Sequence, residues 1–212
     1  MEHITRREQV RKYIDDNCIF RCDPDVQYTQ TLEPGFIYPK QVAKSGGWRF
    51  QFFLRKLLFD PHINPIVGKL FDGLLPAIKE EYQLCAIESG GTPLAMLIQS
   101  YQQRLAGKPI NLFSVRKERK ASGLFNMIEG TPNDLPVVYV DDLVNSGRSA
   151  DKAIWAAFNE CGVSSHHICP LVTLVAPPNR DFWIKSVFEK TEFNFKFEKE
   201  KYWLPKDVDL IK

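Results

Sequence analysis

The sequence predicts an α/β domain: a central, mostly parallel sheet flanked by helices. Three observations carry the prediction. Val137, Val138, Tyr139 and Val140 form an unbroken apolar run, the pattern of a strand buried on both faces. That run meets two adjacent carboxylates, Asp141 and Asp142, which do not belong in a core and are expected at the sheet edge where open α/β folds bind ligands. A short loop of small residues and a helical pattern follow, and the same strand, glycine loop and helix order occurs earlier, at 82–87, 88–92 and from Pro93 onward.

Composition bounds the rest. At 212 residues the chain suffices for one domain with additions, and 44% apolar with 25% charged residues is the balance of a globular protein. A formal net charge of +2 gives no reason to expect nucleic acid as a partner. No apolar run approaches the roughly 20 residues that span a bilayer, so no membrane association is expected. The charged N-terminus is unlike a signal peptide, and the five cysteines form an odd set without a secretory context. Reduced thiols and a cytoplasmic location follow as expectations. Cys161, His166, His167 and Cys169 cluster, but their spacing follows no zinc pattern.

Along the chain, Thr5 and Glu8 form a capping box ahead of Val10, Tyr13 and Ile14, predicting a helix over 5–16. The Pro- and Gly-rich stretch to Pro39 reads as loops with one or two short strands, a flap over the core. Arg49, Gln51, Leu54 and the aromatics beside them predict a strand after a turn at 44–47. From 62 to 81 the apolar residues recur on one helical face, from Ile63 and Val67 through Phe71 to Ile78. A helix is expected over 93–105, with Pro93 at its first position. A strand follows at 111–115, then a helix completed over 151–160 and stopped by Gly162. Next come a strand over 167–175, a further helix after Arg180, and an edge strand from the alternation of Phe193, Phe195 and Phe197. The whole reads as one domain over 1–212: a helix and hood to 60, a core over 61–190, and an edge strand and tail from 191.

The chemistry concentrates in three loops. Asn145, Ser146, Gly147, Arg148 and Ser149 let the backbone approach a ligand closely beside the free N–H groups of a helix start, a cradle for phosphate. Asp141 and Asp142 repel phosphate but suit ribose hydroxyls, or a metal ion carried in with the ligand. Phosphate plus a neighbouring diol describes a ribose 5-phosphate. Ser89, Gly90 and Gly91 make a second potential cradle. Arg116, Lys117 and Lys120 sit in the most charged stretch, which leaves a strand on the edge where the cradles converge. Each has a plainer alternative: an ordinary helix start with solvated acids, a tight glycine turn, and a solvated charged face.

The segment VVYVDDLVNSGRS resembles the signature by which type I phosphoribosyltransferases bind 5-phosphoribosyl-1-pyrophosphate (PRPP). In that family the paired acids hold the ribose hydroxyls and the next loop the 5-phosphate; Asn145 and Arg148 stand where Thr or another small residue is more usual. GGTPLA is similar to the family's pyrophosphate loop, with Gly90 where orotate phosphoribosyltransferases commonly carry lysine. The stretch 116–123 resembles their catalytic loop Arg-Lys-Glu-x-Lys-x-His-Gly, with Ser122 in place of histidine. Lys44, Phe52 and Phe53 match a lysine that reaches the active site and an aromatic pair along the base. Pro177 and Pro178 replace an Asp-Arg pair that meets orotate.

The resemblance implies the type I phosphoribosyltransferase fold with a small N-terminal hood, and transfer of the phosphoribosyl group from PRPP to a nucleobase. It also implies a homodimer and Mg2+ bound mainly through the substrate, with no protein metal ligands. A PRPP or nucleotide sensor without turnover is the alternative, suited by Gly90, Ser122 and the two prolines. Arg116, Lys117 and Lys120, which a leaving pyrophosphate needs, favour the enzyme.

Overall fold

The computed structural model describes residues 4–21, 31–33, 36–37, 50–77, 80–116, 118–119, 121, 126–162, 168–178 and 183–194. Of the residues named above, Pro39, Lys44, Arg49, Ile78, Lys117, Lys120, Ser122, His166, His167, Arg180, Phe195 and Phe197 lie outside this set.

Helix α1 (Arg6–Tyr13) opens on the expected capping box: the Glu8 N–H donates to Thr5 Oγ1 at 3.2 Å and the Thr5 N–H to Glu8 Oε2 at 2.8 Å. A π-helical turn (Ile14–Cys18) leads into β1 (Ile19–Arg21). The hairpin strands β2 (Thr31–Glu33) and β3 (Phe36–Ile37) pair with each other, and β4 (Phe50–Phe52) runs antiparallel to β1. Leu54, expected in that strand, instead precedes helix α2 (Arg55–Phe59) and is buried.

The single helix expected over 62–81 is broken. Helix α3 (Asn64–Val67) passes into a 3-10 turn (Gly68–Phe71) and stops. Pro65 removes a donor, and Gly73 and Pro76 weaken any continuation. Gly68 lets this segment cross helix α4 (Gly91–Ala106) closely, since a β-carbon there would lie 2.6 Å from the Leu97 carbonyl oxygen. The apolar stripe still finds its target, because Val67, Phe71 and Leu75 are all buried. Periodicity reported the buried face and not the hydrogen bonding.

The six-stranded sheet contains β5 (Gln83–Ile87), β6 (Leu112–Val115), β7 (Ile128–Glu129), β8 (Val137–Leu143), β9 (Ile168–Ala176) and β10 (Ile184–Glu189). Its order is β10-β9-β8-β5-β6-β7, parallel throughout except for β7. One expectation is corrected at its β10 edge. The helix expected after the prolines falls largely on residues outside the described set, and the described segment that follows is a parallel strand, β10; Phe193 follows a 3-10 turn (Lys190–Glu192) instead of lying in an edge strand. Its ring is buried against Phe188. Arg7 holds α1 to this edge through Glu192, 2.7 Å away, with its guanidinium 4.7 Å from the Phe188 ring centroid.

Strand alternation divides the core between the two faces. Leu84, Ala86, Val138 and Val140 pack with α1, α2 and α4, while Cys85, Ile87, Val137 and Tyr139 pack with helix α5 (Arg148–Cys161). Ala150, Ala153 and Ala157 form the buried stripe of α5, and Gly162 caps it at φ 66°, as the sequence predicts. At the start of β5 the fully buried Gln83 is satisfied on both sides of its amide. Its Nε2 donates to the carbonyls of Asn133 (2.6 Å) and Leu135 (2.8 Å), and its Oε1 accepts from Asn111 Nδ2 and the Asn133 N–H.

Candidate active site

The parallel strands point their carboxyl ends the same way, and a cavity of about 360 Å³ opens there, lined by residues 52–55, 88–90 and 141–150. Three sequence segments far apart in the chain thus meet in one place. Asp141 and Asp142 are among the last three residues of β8, at the carboxyl end where the sequence places them, and are half-buried. The Asp142 N–H donates to Asp141 Oδ1 at 2.9 Å, which fixes the first carboxylate against the strand.

The loop after β8 leads directly into α5, where the sequence places a phosphate cradle. Gly147 takes φ 82°, a left-handed conformation that suits glycine, and no side chain caps the first turn of α5. That turn's N–H groups are therefore open to an anion. Arg148 and Ser149 belong to the helix itself, and Asn145 and Ser146 are exposed. Asn145 Oδ1 accepts from Lys190 Nζ, which brings to the loop a cation that sequence reading did not associate with the site.

The loop before α4 is built differently. The Glu88–Ser89 peptide is cis, and α4 begins at Gly91, so Pro93 is its third residue rather than its first. Its missing N–H still falls in the unpaired first turn. A β-carbon at Gly90 would overlap the carboxyl atoms of Asp142, so that carboxylate occupies the room a side chain at position 90 would take. A β-carbon at Gly91 would overlap the Val140 carbonyl oxygen and lie 3.3 Å from Asp141 Cα. Ser89 and Gly90 line the cavity, whereas Gly91 is packed beneath β8 and does not.

The cavity wall carries three acids, Glu88, Asp141 and Asp142, and two cations, Arg55 and Arg148. Burial pushes the Asp142 carboxyl above its ordinary value; a hydrogen bond with Asp141 and the charge of Arg55 pull against that shift. Arg55 is a residue that sequence reading missed. The pairing of β4 with β1 places the start of α2 beside the end of β8, and single-strand patterns carry no sign of that.

The aromatic pair divides its work. Phe53 lines the cavity and carries the Arg55 guanidinium 5.1 Å from its ring centroid. Phe52 reaches the wall but is buried edge-on against Phe193, with ring centroids 5.4 Å apart, so it mainly supports the wall. Arg116 does not line the cavity; its Nε pairs with Glu129 Oε1 at 3.1 Å, and Arg119 pairs with Glu160 on α5. Pro177 and Pro178 also stay outside the cavity wall. Among the described residues no group of three or more His, Cys, Asp or Glu side chains could cage a metal, and no helix is long and apolar enough to cross a membrane.

No protein-family model matches the chain. It is 27% identical over 162 residues to an orotate phosphoribosyltransferase of Tropheryma whipplei, covering 75% of this chain and 72% of that one. An orotate phosphoribosyltransferase of Aquifex aeolicus is 32% identical over 110 residues, 51% of this chain and 58% of that protein. Among solved structures, a phosphoribosyltransferase of Corynebacterium diphtheriae superposes with a TM-score of 0.62 at 17% identity, covering 88% of this chain and 97% of that one. The Mycobacterium tuberculosis orotate phosphoribosyltransferase in complex with PRPP gives 0.59 at 19% identity, covering 89% and 98%. Shared fold, order of loops and curated relatives together make this chain similar to the orotate phosphoribosyltransferases, with the fold of the type I phosphoribosyltransferases.

Proposed function

We propose that this cavity binds PRPP and transfers its 5-phosphoribosyl group to a nitrogenous base, releasing pyrophosphate. One observation carries the reading: paired acids, an open phosphate loop and a second glycine loop line a single cavity at the carboxyl edge of the sheet. The uncapped start of α5, with Gly147 and Arg148, holds the 5-phosphate. Asp141 and Asp142 accept hydrogen bonds from the ribose hydroxyls and favour positive charge on the ring as the bond from C1 to the pyrophosphate oxygen breaks. The incoming base nitrogen forms the new bond to C1, aligned against the wall that Phe53 supplies. Ser89 and Gly90 face the leaving group, to which Lys117 and Lys120 bring charge.

The donors suit magnesium that arrives on the substrate. The cavity's acids are oxygen donors, and magnesium is commonly held by one or two carboxylates together with substrate phosphates. When bound, the ion neutralises charge on the pyrophosphate oxygens. A homodimer working in the cytoplasm, with the basic loop serving the neighbouring subunit, completes the proposal.

A PRPP-binding protein without turnover is the second reading. It is favoured by the engagement of Arg116 with Glu129 and Arg119 with Glu160, away from the cavity. Pyrophosphate release from PRPP and magnesium, measured against orotate, uracil and the purine bases, separates the two. Release that depends on one base supports the transferase; PRPP binding with no release from any base supports the sensor.

A further inference from the structure

We propose that Arg55 is a substrate-binding residue that grips an oxyanion of the reacting molecules, either the pyrophosphate group or an acidic substituent on the acceptor base. The inference rests on the phosphoribosyl-transfer reading and extends it to a residue outside the loops that reading uses.

Four observations lead to it. Arg55 lies on the wall of the same cavity as both glycine loops. Its guanidinium is steadied over the Phe53 ring, 5.1 Å from the centroid, while the side chain is exposed. Among the described residues no hydrogen bond or ion pair claims its five N–H donors; Asp142 feels its charge without being paired to it. Gly90, finally, brings no charge from the α4 loop, and the Asp142 carboxylate fills the room for one.

A planar, donor-rich fork held over an aromatic ring and left unclaimed is suited to bidentate recognition of phosphate or carboxylate. The other described cation on this wall, Arg148, belongs to the loop that takes the 5-phosphate. Arg55 comes from a different wall and so meets a different part of the substrate. The two sources of the oxyanion share one chemistry and differ in which measurement moves.

The test uses the full-length protein, wild type, Arg55→Gln and Arg55→Lys, with melting temperatures as the folding control. Binding of inorganic pyrophosphate is measured by calorimetry, and kcat/KM is compared for orotate and for uracil, the same ring without the carboxylate. If Arg55 grips the leaving group, Arg55→Gln weakens pyrophosphate binding about tenfold or more and leaves the orotate-to-uracil ratio unchanged. If it grips the acceptor, that ratio falls about tenfold and pyrophosphate binding holds. In either case Arg55→Lys, which keeps the charge without the fork, falls between. Wild-type values for both quantities in Arg55→Gln would overturn the proposal while leaving the transferase reading intact. Wild-type protein that neither binds PRPP nor releases pyrophosphate would overturn that reading, and this proposal with it.

Discussion

The two glycine loops look alike in sequence and do opposite things in the structure. After β8, Gly147 stands in open space at a positive φ, and the start of α5 behind it is uncapped. After β5, Gly90 lies under the Asp142 carboxylate and Gly91 under the backbone of β8. The first loop uses glycine for its conformation and leaves room for a ligand. The second uses glycine to bring a helix start close to the neighbouring strand, and so couples the loop before α4 to the paired acids of β8. A glycine cradle is therefore not one device.

Substituting the glycines breaks this comparison in a graded way. Gly91→Ala has the largest expected effect, because the overlapped atoms belong to the backbone of a central strand and cannot move aside. A loss of about 3 kcal/mol is expected, or a fall in Tm of about 6–12 °C for a domain of this size. An unchanged melting temperature would show that α4 does not start against Val140.

Gly90→Ala meets a side chain that can swing away. It should cost about 1 kcal/mol of stability and weaken PRPP binding about tenfold by displacing Asp142. Wild-type affinity in that variant would separate the two loops. Gly147→Ala strains a positive φ without overlap, for about 1–2 kcal/mol of stability, and should also weaken PRPP binding by disturbing the loop proposed for the 5-phosphate; unchanged affinity there would contradict that assignment.

The smallest effect sharpens the electrostatic side. Burial raises the Asp142 carboxyl, so the folded protein binds that proton more readily than the unfolded chain. Its contribution to stability is fully present below the ordinary carboxylate pKa and is lost as pH rises through the raised one. Asparagine does not titrate. Asp142→Asn should therefore melt higher than wild type at neutral pH, with the gain shrinking on acidification. A variant that melts lower at neutral pH, or a gain that does not change with pH, would contradict the buried-acid account.

Much of this was legible because local physics decided it. The apolar run 137–140 has the pattern of a doubly covered strand, and the acids ending it point to a sheet edge. The Thr5–Glu8 box and the Gly162 cap name their helix ends directly. What sequence left unread depends on contacts made at a distance. Arg55 enters the cavity through the β1–β4 pairing, and Asp142 covers Gly90 across two strand ends. The close crossing of Gly68 over Leu97 is invisible to a periodicity that tracks only which face is buried. Strand β10 was missed because Ile184–Glu189 mixes burial with exposed Lys185 and Glu189, as befits an edge.

The central claim is that the cavity at the end of β8 holds PRPP by its ribose hydroxyls. Calorimetric titration of PRPP with magnesium into wild type and into the Asp141→Asn, Asp142→Asn double variant tests it most directly, with circular dichroism to show that the fold is retained. The account predicts saturable binding to wild type and a loss of about 100-fold or more in the folded double variant. Equal affinity in the two proteins would contradict it.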